Sequence, residues 1–506
     1  MTARFFSRHY DTISLVLALL AGGLFLFSNL HGVIYLAEDE ARPFTLLSSG
    51  QLMFFLGHPV YERFHTQASV FYLAAFLNFA SIPLFYMICR AAFGRGAAAF
   101  SVLFYAAYPF RVDYARMLFP ASFMEPFFLL AILFCYWGLS RRESWWMTGA
   151  GASLALAFFV HYMAYVMIAG MGLAVLYFRR PFIFILKMVF GFLAAFFLAV
   201  KILSVKYRYD FYHYFWDFFH GTKEFKNNFR FEEFKYLLHV FSWAKASVFH
   251  LSLTAAVLAS ISFMVFLFFK KRDAAKGFFL ITYSAGAGML FLMSCLGRNP
   301  VYDRHFVWLV SFYCLSLGVT ATAWVESSSG IRRRLVIVLF LSAVGACAWE
   351  SGGIVRETFS IDPITAWLKV NQIEKKSILT TWKIAEPGDL GRPSLVPSYV
   401  PDRFRTDPMW YVHESLKIAW PAVYRAYRMG LCQYLLTSGI DDMKVGLGQN
   451  DFVLQNVQPI ASWPHPYSVF SKRGFYSPGT SWNISLYRLS DVFSRENSIR
   501  IKLLKE

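Results

Sequence analysis

The octapeptide Leu36-Ala37-Glu38-Asp39-Glu40-Ala41-Arg42-Pro43 puts three adjacent carboxylates just past the first long apolar run of the chain. Carboxylates are costly near hydrocarbon, so Glu38, Asp39 and Glu40 must face water or a polar partner. A carboxylate held against a hydroxyl can take its proton. Duller readings compete: a solvated loop, Asp39 paired with Arg42, or Glu38 or Glu40 capping a helix that starts near Pro43. Glu125 lies one or two turns inside another apolar segment and needs a polar cavity or a cation such as Arg116. The run Arg298-Asn299-Pro300-Val301-Tyr302-Asp303-Arg304-His305 gathers donors suited to a phosphate, Arg298, Tyr302, Arg304 and His305. Its competing reading is an interfacial anchor in which Asp303 pairs with an arginine. His58 and His65 share the first polar loop with the acids and either touch a substrate or help fold that loop.

The elements that position these residues are membrane spans. With 57% hydrophobic and 16% charged residues in 506 and a mean hydropathy of +0.44, the chain is too apolar for an ordinary soluble protein. Spans of about 20 apolar residues recur about eleven times. They fall roughly at 11–30, 68–89, 97–112, 119–139, 145–160, 162–178, 182–203, 244–269, 276–296, 304–325 and 332–349. The first lacks a small-x-small cleavage site and reads as a retained span. The pair flanking His161 is short and nearly fused, so it is either two tilted spans or one long one.

Charge arbitrates. With two spans there, every even-numbered gap is basic: Arg90 and Arg95, Arg141 and Arg142, Arg179 and Arg180, Lys270 to Lys276, and Arg332 to Arg334. Lys and Arg mark cytoplasmic loops, and Arg4 and Arg8 place the N-terminus with them. The acidic stretch, the turn from Tyr108 to Met117, the loop 204–243, the 298–305 run and the C-terminus then lie on the outer side. The net charge of +18 is accounted for in this way, which excludes nucleic acid as a partner. Loop 204–243 alternates aromatic and charged residues, as in Tyr207-Arg208-Tyr209-Asp210-Phe211, and suits the headgroup region rather than single-stranded nucleic acid. The six cysteines show no metal-ligand spacing and read as small buried hydrophobes. No metal site is indicated.

After Trp349 the pattern changes. Pro, Gly, Asp and Asn punctuate short β-like runs at Ser377–Ile384, Gln433–Thr437, Phe452–Val457 and Asn483–Leu489, with a helical stretch at Glu414–Met429. Residues 1–349 therefore read as a transmembrane domain with a first outer loop at 31–67, and 350–506 as a soluble outer α/β domain. Asn483-Ile484-Ser485 matches a glycosylation acceptor, a triplet common by chance.

The order of these features resembles the GT-C superfamily of polyprenyl-phosphate-dependent glycosyltransferases. It is most similar to the branch holding bacterial protein O-mannosyltransferase-like proteins and the aminoarabinose transferase of lipid A. Asp39-Glu40 occupies the place of that branch's Asp-Glu pair in the first outer loop. Arg90-Ala91-Ala92-Phe93-Gly94, Tyr105-Ala106-Ala107-Tyr108-Pro109 and Tyr114-Ala115-Arg116-Met117-Leu118-Phe119-Pro120 resemble its basic inner turn, Pro-containing outer turn and Ala-Arg element, with Glu125 near a second acid. The resemblance covers the first 180 residues well and the rest in outline. His161 departs from it, standing before Tyr162 where relatives carry Lys, and neutral His is the weaker phosphate partner.

The resemblance implies a polytopic α-helical GT-C fold in a bacterial inner membrane, N-terminus cytoplasmic and C-terminal domain periplasmic. It implies Asp39 as base, Arg116 and Arg304 as holders of the donor phosphate, and Glu125 as a second catalytic acid that helps orient the sugar or an arginine. It further implies a polyprenyl-phosphate-linked sugar as donor, a lipid, glycan or protein as acceptor, and no required cofactor. Two alternatives stay open. An oligosaccharide transferase or polymerase would use a diphosphate donor and often a divalent metal. A lipid or ion transporter would show repeated halves, and none is visible.

Overall fold

The computed structural model describes residues 2–30, 51–64, 67–118, 120–161, 164–207, 248–271, 274–295, 306–356, 362–373, 377–380, 424, 427–430, 432–438, 454, 457–464 and 483–493. The chain divides into two compact units. The first is helical: α1 (Thr2–Phe27), α2 (Gln51–Phe64), α3 (Gln67–Ala107), α4 (Pro109–Ala115), α5 (Pro120–Arg141), α6 (Trp145–Val160), α7 (Tyr165–Tyr177), α8 (Ile183–Tyr207), α9 (Val248–Lys271), α10 (Ala274–Cys295), α11 (Leu309–Ser327) and α12 (Gly330–Arg356). Every apolar segment expected to span coincides with one of these helices or with half of α3.

Among the described residues, seven helices are long and apolar enough to cross a membrane, while α6 and α7 are shorter apolar helices. Their outer faces carry bare hydrocarbon, with Leu20 at 67%, Phe190 at 66% and Ile331 at 74% exposure. A soluble protein would bury such faces; lipid covers them instead. The protein is an integral membrane protein.

α3 is two spans, not one. At Gly94 the backbone takes φ 83°, ψ −175°, a conformation open to glycine. On a straight helix Phe85 and Tyr105 would lie about 30 Å apart. Their rings instead stack with centroids 4.3 Å apart, so the chain turns back on itself at Gly94.

His161 ends α6 in an extended conformation, φ −159°, ψ 136°, and α7 starts afresh at Tyr165. The two therefore form separate elements, as the charge alternation required. α6 packs between α5 and α8, whereas α7 packs on α10. Small residues permit the close approaches. A Cβ at Gly151 would meet the Met188 carbonyl, one at Gly191 the Thr148 carbonyl, and one at Gly170 the Thr282 carbonyl.

The basic gaps gather at one end of this unit. Lys276 lies over the Phe93 ring at 5.8 Å, and Arg180 donates to the Leu139 carbonyl at 2.5 Å. Arg90 and Arg95 face the buried Asp11 at 3.6 and 3.9 Å, and the Tyr86 hydroxyl donates to the same carboxylate at 3.0 Å. Trp137, Trp146 and Arg141 stack beside them, as aromatic and basic residues do at a membrane–water interface.

The second unit holds α13 (Asp362–Val370), β1 (Ile378–Thr380), β2 (Tyr434–Ser438), β3 (Ala461–Pro464), β4 (Asn483–Arg488) and α14 (Leu489–Val492). Its sheet order is β1-β2-β4-β3, with β1 parallel to β2 and the other pairs antiparallel. Ile364, Leu368, Ile378, Leu435 and Leu486 are buried there, and Trp367 meets Trp463 edge to face at 5.6 Å. A strand was expected at Phe452–Val457, but Leu454 and Val457 form a turn and the strand lies at Ala461–Pro464. Pro459 and Pro464 hid it: proline interrupts a strand pattern yet is tolerated on an edge, and β3 is an edge strand. α12 also runs on to Arg356, past the change of composition near Trp349.

Candidate active site

The site is organised around α4, a fully buried turn between the α3 hairpin and α5. Pro109 at its first position suits a helix start, because proline lacks the N–H that would be unpaired there. The chain Pro-Phe-Arg-Val-Asp-Tyr-Ala-Arg then places Arg111 on the helix and Arg116 at its C-cap. Both rank among the largest fully buried side chains of the protein.

Arg116 reaches the end of α1. One guanidinium nitrogen donates to the Phe25 and Ser28 carbonyls at 2.7 and 2.9 Å, the other to the Asn29 carbonyl at 3.2 Å. These are the carbonyls a helix leaves unpaired at its C-terminus, where a cation is favoured. Asn29 itself adopts a left-handed φ of 52°, which Asn tolerates, and its amide donates to the Val355 carbonyl of α12 at 3.0 Å. The chain thus leaves α1 toward the acidic stretch from a clamped end.

Glu125 has the buried cation it required, but that cation is Arg111 rather than Arg116. Arg111 Nε lies 3.6 Å from Glu125 Oε2, and Tyr105 donates its hydroxyl to Oε1 at 2.7 Å. The guanidinium also sits 3.9 Å from the Tyr105 ring centroid and donates to the Asn78 carbonyl at 2.6 Å. Asn78 in turn donates to the Ser122 carbonyl at 2.8 Å, and the Ser122 hydroxyl to the Tyr114 carbonyl. The network ties both halves of α3 to α4 and α5. Arg111 is the partner because it projects from the helix toward α5, while Arg116, past the helix end, turns toward α1. Sequence reading gave no role to Arg111, Tyr105 or Asn78; the signal available was a second arginine, with Asp113, in the one short turn that carries Arg116.

His161 is buried between α6 and α7, its backbone N–H donating to the Ala157 carbonyl at 3.0 Å. His58 lies on α2, which packs through Leu52 and Phe55 against a cluster of Ala155, Phe159 and Phe196; its side chain is outside the described residues. Glu38, Asp39, Glu40, His65, Tyr162, Arg298, Tyr302, Arg304 and His305 also lie outside the described residues, as does loop 208–247. The structure thus brings together Arg111, Glu125 and Arg116 through α4. Among the described residues no cluster of His, Cys, Asp or Glu is arranged to hold a metal ion.

Comparison with known proteins bears on the fold. The family model for dolichyl-phosphate-mannose-protein mannosyltransferase matches residues 60–205. A search of curated proteins gives no sequence match. Among solved structures, ArnT from Cupriavidus metallidurans bound to undecaprenyl phosphate aligns with 94% of this chain and 97% of its own, at 12% identity and a TM-score of 0.54. An Archaeoglobus fulgidus oligosaccharyltransferase tethered to an acceptor peptide with an NVT sequon aligns with 86% of this chain and 69% of its own, at 13% identity and a TM-score of 0.50. The chain therefore resembles the GT-C glycosyltransferases and shares their polytopic membrane fold.

Proposed function

We propose that this chain is an inverting glycosyltransferase that moves a sugar from a polyprenyl monophosphate to an acceptor at the outer face of a bacterial inner membrane. The observation that carries the reading is the likeness in fold, over 94% of the chain, to a structure bound to undecaprenyl phosphate. The acceptor hydroxyl attacks the anomeric carbon opposite the phosphate, the bond from that carbon to the phosphate oxygen breaks, and the lipid phosphate leaves with the electron pair. Asp39 takes the hydroxyl proton late in that step. Arg304, with Arg298, Tyr302 and His305, holds the leaving phosphate, whose growing charge cations stabilise. His161 and Tyr162 donate to the same phosphate, and Glu38, Glu40 and His58 face the sugar.

Arg116 and Glu125 act in this reading by positioning. Arg116 fixes the end of α1 from which the acidic loop departs, and Glu125 holds Arg111 and thus α4. The N-terminus and basic gaps are cytoplasmic; the acidic loop and the sheet-containing unit are periplasmic. The test is turnover in proteoliposomes with a polyprenyl-phosphate-linked pentose or hexose and bacterial envelope acceptors. Release of free polyprenyl phosphate coupled to acceptor labelling is expected. Labelling from a polyprenyl-diphosphate donor alone would replace this reading with the second one, oligosaccharyl transfer, which the Archaeoglobus likeness favours.

A further inference from the structure

The sheet-containing unit carries a cleft that the transfer chemistry leaves unused. It opens where β2 begins and β4 ends, has a volume of about 490 Å³, and is lined by Tyr427, Arg428, Gln433, Tyr434, Arg488 and Ser490. Its walls are fixed by the sheet. Tyr434 is the register partner of Arg488, Gln433 accepts from the Leu489 N–H at 2.8 Å, and its own N–H donates to the Ser377 carbonyl at 2.8 Å. Opposite, Tyr427 packs its ring on Phe493 at 5.4 Å, and Gly430 turns the chain with φ 69°, which brings Arg428 to the rim.

Arg428 and Arg488 are both exposed and have no carboxylate partner among the described residues. The nearest acid in sequence, Asp491, accepts from Ser490 at 3.0 Å. Burial pushes the Cys432 thiol up to about 12, so the sulfur under the cleft stays neutral at ordinary pH. Two guanidiniums that line one cleft, with no carboxylate partner among the described residues, both attract an anion that enters it. Arginine presents paired N–H groups matched to phosphate and carboxylate, and the tyrosine rings offer flat faces for a sugar. A volume of this size accommodates a small glycan.

We propose that this cleft is a binding subsite for an anionic sugar, gripping a phosphate or carboxylate carried on the ring between Arg428 and Arg488. That the sugar belongs to the acceptor rests on the transferase reading; the binding itself does not.

The test uses the full chain in neutral detergent and saturation-transfer difference NMR with glucose 1-phosphate, glucuronate and glucose as probes. Saturation transfer to either anionic probe and not to glucose is expected, with binding at least about ten-fold weaker in Arg428→Gln and Arg488→Gln. The lysine variants Arg428→Lys and Arg488→Lys, which keep the charge, are expected to bind between these limits. Near-UV circular dichroism checks that each variant folds. Preference for one anionic probe identifies phosphate or carboxylate as the group held. Transfer equal for glucose and the anions, or unchanged in both Gln variants, overturns the proposal. Binding without any sugar transfer sinks only the transferase reading; transfer activity with no anion binding sinks only the subsite.

Discussion

Arg111 and Arg116 sit on one short buried turn, yet their tasks differ because their partners differ. Arg111 and Glu125 form a buried pair, so removing one partner leaves an uncompensated charge. Arg111→Met or Glu125→Gln alone is expected to cost about 3–5 kcal/mol, and the double variant Arg111→Met/Glu125→Leu much less than the sum. Denaturant unfolding of the detergent-solubilised protein measures both. For Arg116, three carbonyls at separate positions require the guanidinium fork. Arg116→Lys should therefore lower stability nearly as much as Arg116→Gln, by about 1.5–3 kcal/mol, with little change in donor KM of the folded fraction. A large rise in donor KM with stability intact would instead make Arg116 a phosphate ligand. The need of Glu125 for a cation was legible in the sequence, because an acid inside an apolar helix is legible anywhere. Which arginine met that need was not, since both lie in the same turn from Tyr108 to Met117 and only the direction of α4 separates them.

At the scale of elements, hydropathy marked the spanning helices of the membrane unit, because a span must be apolar throughout and cannot hide; it missed α2, which lies within the stretch 31–67 expected as an outer loop. The hairpin at Gly94 and the break at His161 were also foreshadowed, by a glycine between two arginines and by alternation of charge. Contacts were not. Gly151 and Gly191 look like any small residues in apolar runs, but the space for a side chain at each is filled by a backbone carbonyl of the facing helix. Gly151→Val or Gly191→Val is expected to force α6 and α8 apart and to abolish folded expression, read by size-exclusion of a fluorescent fusion. Gly172, with open space at its Cβ, serves as the control, and Gly172→Ala should express normally. The sheet was harder to read: its strands are three to six residues long, and proline disguises one of them.

For the whole molecule, charge is sided within the helical unit: the basic gaps meet at one end of it, and α4 and the end of α1 lie at the other. That polarity matches a donor and acceptor meeting at one membrane face. A monophosphate leaving group stabilised by arginines needs no metal, so chelation with EDTA should leave turnover within about two-fold, whereas a diphosphate-dependent enzyme using a divalent cation would lose it. The most direct measurement is turnover of Asp39→Asn in proteoliposomes with a polyprenyl-phosphate-linked sugar. The amide keeps the shape of the side chain and cannot accept the proton. A fall in kcat of at least about 100-fold with thermal unfolding unchanged is predicted; turnover near that of the native protein would contradict the account.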